Sequence, residues 1–365
     1  MSTICCISDC HLGYLHRLKK ERLEDFEASF SEAISKAMEY NPDLIIFGGD
    51  VFEHSKPDAR SFKAFISALM KVSAKTLVVL AIGNHELDGH LRTSYQPALS
   101  HLSNNIHVLS TENPHVLLEL SGKKVGIHGF EYLREKDASE AALKKLTSEM
   151  ESISQNADTN ILCLHQGIEG SVPRYEISLK ALQEISQKYD LILSGHIHKY
   201  QRIKGIAVPA YYVGSTSKRN FSESGNVNGV LVFKDFDYNN PAFIEIPSAT
   251  MRAIKQDLGT RTPEEINVYL KDLIESNSDV KNLSISLDVD VKGNYFDVAR
   301  DWETIYPLFT ILEVHVNNKV KDAAIKIEKA QMEPKVIEEY FEKKGIAARK
   351  DLLAACVRFY ERYGG

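Results

Sequence analysis

Up to about residue 247 the chain alternates short apolar runs with longer amphipathic stretches. The runs are 3–8, 44–47, 77–82, 124–128, 160–164, 190–193, 207–213 and 229–233. Short runs that stay apolar throughout read as strands covered on both faces. Between the early ones, Leu23, Phe26, Phe30, Ile34 and Met38 recur at helical spacing, as do Phe62, Phe65, Ile66, Leu69 and Met70. Strands alternating with helices predict an α/β layered core. The character changes near Ile246-Pro247. A strand-like stretch, 251–258, leads to a helix starting at Thr262-Pro263-Glu264-Glu265, with proline in its first turn. Leu283, Ile285, Leu287, Val289 and Val291 then alternate at period two, as does the run around Ile311, Glu313 and His315. This pattern predicts a second, smaller α+β unit with one covered sheet face. Val336, Ile337, Tyr340 and Phe341 stripe one last helix, and Leu352, Leu353, Cys356, Val357 and Tyr360 stripe another. The expected organisation is therefore a domain over 1–247, an α+β domain over 248–331 and a helical tail over 332–365.

Composition narrows the class. A chain of 365 residues has room for two or three domains. Its 43% apolar and 26% charged fractions are those of an ordinary globular protein. With 44 Lys+Arg against 50 Asp+Glu and a net charge of −6, it is not built to coat nucleic acid by bulk charge, though a local positive face remains open. No apolar run approaches the ~18 residues of a membrane span, so no membrane association is expected. The opening MSTICCISDC carries no basic stretch and no cleavable apolar core. Five cysteines without CxxC pairs read as reduced thiols, and a cytoplasmic location is the expectation.

The candidate chemistry sits where five strand candidates end. ISDCH supplies Asp9 and His11, FGGD Asp50, AIGNHE Asn84 and His85, LCLHQG His165, and SGHIH His196 and His198. In layered α/β folds ligands bind outside the carboxyl ends of strands, so the five tips can converge on one crevice. Two carboxylates, four imidazoles and an amide oxygen form a mixed oxygen and nitrogen set, enough for two divalent ions. Such donors favour manganese, iron or zinc over magnesium. Two ions bring more positive charge than two aspartates return, and the resulting pocket suits a phosphate diester. Asp50 is the candidate bridge because a carboxylate has two oxygens to share. His85 is then free to hydrogen-bond the phosphoryl oxygen or protonate the leaving alkoxide.

The motif order resembles the calcineurin-like metallophosphoesterase superfamily. Its finer match is the nuclease component of the double-strand-break repair complex, the SbcD-type and meiotic-recombination nuclease family. FGGDVFEHSKP is close to that family's GDLFH-x-x-x-P, and YYVGSTSKRNFSES is similar to its Pro-Gly-Ser-x-x-Arg-x-x-Phe-x-Glu stretch through Gly214, Ser215, Phe221 and Glu223. The resemblance implies an αββα sandwich with a DNA-capping domain after it. It implies metal ligation by Asp9, His11, Asp50, Asn84, His165, His196 and His198, and a phosphate-facing His85. It further implies a manganese-dependent exonuclease and single-strand endonuclease at broken DNA ends, working as a homodimer with an SMC-like ATPase whose coiled coil takes the helical tail. Two positions depart. Val213 replaces the usual proline, and Glu53 stands where the family has its second catalytic histidine. Either His54, one position later, substitutes for that histidine, or its contribution is missing.

Several features have competing readings. A small-nucleotide phosphodiesterase would use the same metal core, and a DNA-end tether would need only weak catalysis. Arg252, Lys255 and Arg261, with Lys218 and Arg219, are candidate phosphate contacts, or simply a solvated face. His128 looks like a sixth strand-tip residue, and a strand-end or supporting role is preferred for it. His90, His101, His107 and His115 read as surface residues in helices or loops. Cys10 reads as a small core residue. The stripe from Phe62 to Met70 and the Tyr95, Leu99, Leu102 pattern read as two helices. These either pack on the sheet or meet their copies in a dimer.

Overall fold

Side chains alternate between the two faces of each strand, and here both faces are covered. The computed structural model describes residues 2–16, 19–88, 93–153, 157–299 and 301–319. β1 (Thr3–Ile7), β2 (Leu44–Phe47), β3 (Leu77–Leu80) and β4 (Ile106–Val108) run parallel, each hydrogen-bonded to the next. A second sheet holds β5 (His115–Leu120), β6 (Lys123–Gly129), β7 (Thr159–Leu164), β8 (Leu191–Ser194), β9 (Gln201–Arg202) and β10 (Ala210–Tyr212) in the order β5-β6-β7-β8-β10-β9. Two antiparallel strands, β11 (Gly229–Lys234) and β12 (Ala242–Glu245), complete the first sheet as β12-β11-β1-β2-β3-β4.

The period-two alternation sorts each strand's residues into separate cores. Cys5 and Ile7 of β1, with Ile45 and Phe47 of β2, pack under Phe30, Ala33 and Ala37 of α1 (Lys20–Glu39) and Phe65 and Leu69 of α2 (Ala59–Ser73). Their neighbours Ile4, Cys6, Leu44 and Ile46 face the other way, against Ile127, Ile161, Cys163 and Leu193 of the second sheet. The far side of that sheet, through Leu162, Leu164 and Ile192, is covered by Leu143 and Leu146 of α3 (Lys136–Ile153) and Leu182 and Ile185 of α4 (Leu179–Ser186). The expected layered core is therefore an αββα sandwich. Asp58 caps α2 by accepting from the backbone N–H groups of Arg60 and Ser61.

Towards the C-terminus β13 (Met251–Arg261), β14 (Asn282–Val291) and β15 (Ile311–Asn318) form a three-stranded sheet in that order, accompanied by α5 (Pro263–Glu275) and α6 (Trp302–Ile305). Leu283, Ile285, Leu287, Val289 and Val291 are all buried, as their alternation predicts. A capping box starts α5: Glu265 accepts from the Thr262 N–H while the Thr262 hydroxyl accepts from the Glu265 N–H. The described residues divide into two compact units, one of 2–254, 270–286 and 301–315, the other of 255–269, 287–299 and 316–319. The predicted helical tail, 332–365, lies outside the described residues.

Three expectations need correction. Tyr95, Leu99 and Leu102 do not belong to a full helix; Gln96–His101 is a single 3-10 segment with proline at its start. Only a few residues separate it from β4, too few to stabilise an α-helix. His107 and His115 are not loop residues but lie in β4 and β5, each half-buried. These strands are short or partly exposed, so they lack the continuous apolar signature of the central ones.

Candidate metal centre

The polar tips follow five strands at the same end of both sheets: Asp9 and His11 after β1, Asp50 after β2, Asn84 and His85 after β3, His165 after β7, and His196 and His198 after β8. The β1 and β2 loops are tied together by His11 N–H to the Asp50 carbonyl and Asp9 N–H to the Gly49 carbonyl, both 3.0 Å. Four of these residues hold left-handed backbone, with φ of 51° at Asp9, 46° at His11, 48° at Asp50 and 79° at His196. For residues with a Cβ this conformation costs of order 1–3 kcal/mol each, and it clusters where side chains must be aimed. Two glycines permit the crowding. A Cβ on Gly83 would lie 2.1 Å from Asp50 Oδ1, and one on Gly49 would lie 2.4 Å from His165 Nδ1.

The side chains gather into two groups. In the first, His11 Nε2 and His198 Nε2 are 3.0 Å apart, with Asp9 Oδ1 3.7 Å from the latter. In the second, His165 Nε2 lies 3.1 Å from Asp50 Oδ2 and 3.3 Å from Asn84 Oδ1, which also meets His196 Nδ1 at 3.0 Å. Asp9, His11 and His198, and separately Asp50, His165 and His196, are close enough to share an ion. The proton positions favour this. His165 Nδ1 donates to the Gly48 carbonyl at 2.7 Å, so in the neutral ring Nε2 carries a lone pair. With the ring neutral, that lone pair, a carboxylate and an amide oxygen converge, an arrangement that a cation satisfies; without an ion, the Asp50 charge favours a proton on the same nitrogen. The donor set fits two divalent ions of the manganese, iron or zinc type.

Burial shapes the charges. It opposes ionisation of Asp50, but His165 outweighs it and holds that carboxyl below the usual range. Burial likewise lowers His165, and the Asp50 charge reverses this and raises it. His196 is lowered to about 4, first by burial and then by His165. Burial also lowers His11. His198 is raised despite burial, because Glu223 accepts its Nδ1–H at 3.0 Å.

Residues 2–200, more than half of the chain, match the family described as Calcineurin-like phosphoesterase. The chain belongs to that family. Among curated relatives it is similar to the DNA double-strand break repair protein Mre11 of Methanocaldococcus jannaschii, 31% identical over 195 residues, 53% of this chain and 50% of that protein. The same-named protein of Methanococcus maripaludis is 27% identical over 244 residues, 65% of this chain and 60% of that one. A component of the nuclease SbcCD of Staphylococcus epidermidis is 25% identical over 313 residues, 79% of this chain and 76% of that protein. This phosphoesterase thus spans about half to three fifths of the two archaeal relatives.

Other residues of the phosphoesterase occupy places that no motif announced. Glu53, and not the exposed His54, is buried against the cluster, its Oε2 2.9 Å from His11 Nδ1 though off the line of a hydrogen bond. Its backbone carbonyl accepts from His85 Nδ1 at 2.7 Å, which leaves His85 Nε2 directed at Asp50 Oδ2, 4.0 Å away. Glu86 accepts from the backbone N–H groups of Asp50, Phe52 and Gly83, clamping two of the loops, and burial raises its carboxyl to about 8. Tyr132 packs its ring 5.4 Å from that of His196. Arg219 meets Glu53, whereas Arg252 forms a two-pronged pair with Asp279 and lends no free guanidinium. His128 stands apart, buried between His115 and Asn160. Cys10 is buried in the core. Apart from this centre, an apolar cavity of about 610 Å³ is lined by Phe62, Ile66, Tyr95, Leu99 and Leu102.

Proposed function

We propose that this phosphoesterase is a DNA nuclease that hydrolyses backbone phosphodiesters at double-strand breaks, with exonuclease and single-strand endonuclease activity and manganese as its metal. The observation that carries the reading is the pair of ligand groups with His85 beside them. Relatives named for break repair and for a nuclease support DNA as the substrate. Asp9, His11 and His198 would hold one ion and Asn84, His165 and His196 the other, with Asp50 shared. Bound there, the ions supply Lewis acidity and positive charge to the phosphoryl group. His85 is oriented by the Glu53 carbonyl, and its Nε2, on the Asp50 side, would face a phosphate held by the ions. Protonated, that nitrogen donates to the phosphoryl oxygen or to the departing alkoxide.

The partners belong to the same reading. The apolar groove, with Phe62 and Leu102 exposed along it, suits a homodimer contact. An SMC-like ATPase would take the tail, and residues 248–331 would cap the DNA. The four buried free cysteines among the described residues suit a reducing cytoplasm, and no described helix is long and apolar enough to cross a membrane. Glu53 at the family's second histidine position favours a second reading, a DNA-end tether with weak catalysis.

The deciding experiment is cleavage of end-labelled duplex and single-stranded DNA with manganese, magnesium or chelator, with His85→Gln as control. Manganese-dependent cleavage should fall about 10²–10⁴-fold in the variant while metal binding persists. No cleavage by protein holding two ions would leave the tether, and efficient cleavage of cyclic nucleotides alone would favour a small-nucleotide enzyme.

A further inference from the structure

Two carboxylate side chains next to the centre, the buried Glu53 and the partly buried Glu223, have no task in the reaction described above. Glu53 Oε2 lies 2.9 Å from His11 Nδ1, and Glu223 Oε1 lies 3.0 Å from His198 Nδ1. These are the outer nitrogens of the two rings whose Nε2 atoms face each other at 3.0 Å. A carboxylate beside the outer nitrogen keeps the ring proton there, orients the ring and makes the inner nitrogen a stronger donor to a metal.

The two carboxylates are tied to one residue. Arg219 donates from its guanidinium to Glu53 Oε1 and from its backbone N–H to Glu223 Oε2 at 2.8 Å. Its guanidinium lies over the Tyr14 ring, 5.5 Å from the centroid. The preceding carbonyl, of Lys218, accepts from the fully buried Arg22 at 2.6 Å. Glu53 also has a competing neighbour, since its Oε1 is 3.8 Å from His85 Nδ1. The arginine therefore holds a carboxylate that two histidines can claim. In the second ligand group the outer nitrogen of His165 meets the neutral Gly48 carbonyl in place of a carboxylate.

We infer that Glu53, Arg219 and Glu223 are positioning residues that make the Asp9–His11–His198 group the tighter of two divalent-cation sites, with the Arg219 side chain acting by keeping Glu53 on His11. The inference rests on the two-ion reading of the centre but not on DNA being the substrate. Glu53 stands where the resembling family carries a histidine, so its contact with His11 departs from the family pattern.

The test is a manganese titration of the whole protein without DNA, following free Mn2+ by its electron paramagnetic resonance signal. Wild type should show two unequal classes of site. Glu53→Gln, Glu223→Gln and Arg219→Met should each weaken the tighter class by about 10- to 100-fold and spare the other. Arg219→Lys, whose ammonium can still reach Glu53, should recover much of the Arg219→Met loss. Combining Glu53→Gln with Arg219→Met should add little to either alone, because the two side chains act as a unit. Unchanged melting of the metal-free variants would show that the fold is intact. Equal classes in the wild type, an unaltered tighter class in Arg219→Met, or parallel weakening of both classes would each overturn the inference. Unequal classes in a protein that cleaves no DNA would sink the nuclease and leave the inference standing.

Discussion

His11 and His198, 187 residues apart in the chain, bring their Nε2 atoms to within 3.0 Å of each other. Two neutral imidazole nitrogens at that distance share a single proton or a cation; without either, lone pair faces lone pair. A bound ion should therefore stabilise the fold. With manganese at about 100 times its Kd the gain is about 2.7 kcal/mol per site. Calorimetric melting in manganese against chelator should show it as a raised Tm, and His198→Gln should lose part of the difference. Identical melting with and without metal would refute a metal site here.

The close approach of backbone to ligand gives a second expectation. Gly83→Ala would put a Cβ 2.1 Å from Asp50 Oδ1, and Gly49→Ala would put one 2.4 Å from His165 Nδ1 at a φ of +98°. Each should cost at least about 1–3 kcal/mol of stability and displace its neighbour from the centre. Denaturant unfolding alongside metal counting checks both effects. Wild-type stability and stoichiometry in either variant would contradict the geometry.

Acid sensitivity should come partly from a histidine outside the centre. His128 is buried and lowered to about 4 by loss of solvation, so the folded state holds it neutral while the unfolded chain protonates it near 6.5. Between those values the unfolded state binds more protons, so stability rises with pH. The contribution is complete above about pH 6.5 and is lost as pH falls towards 4, up to roughly 3 kcal/mol in all. Replacing His128 with glutamine should flatten this part of the stability–pH curve. An unchanged slope from pH 7 to 4.5 would assign the acid limb to other groups.

The apolar groove carries a prediction about assembly. Leu102→Lys or Phe62→Glu places charge on residues that are about 40% exposed along it. If copies of the chain meet there, sedimentation should show a dimer in the wild type and a monomer in the variants, with folding unaffected. A monomeric wild type at high concentration would remove the homodimer from the proposal.

Much of the sandwich can be read from the chain because a period-two apolar run is a local property, and burial on both faces leaves it uninterrupted. The strands that escaped notice are those where local pattern is weakest. β4 has three residues, and β5 pairs at an edge with Leu117 exposed. At Tyr95–Leu102 the spacing imitated a helix over a segment too short to form one.

The centre divides in the same way. Asp9, His11, Asp50, Asn84, His85, His165, His196 and His198 stand immediately after strands, so the order of strands and tips was already in the sequence, and parallel pairing brings those tips to one end. Their supporting partners carry no such mark. Glu53 and Arg219 are 166 positions apart, and Glu223 reaches His198 from a short 3-10 turn. Neither contact follows from any periodicity or strand end. Which donors meet is legible from the chain alone, because backbone hydrogen bonding aligns strand ends whatever the side chains beyond them. Which carboxylate faces the outer nitrogen of His11 and of His198 emerges in three dimensions alone, because it depends on how loops distant in the chain pack against one another.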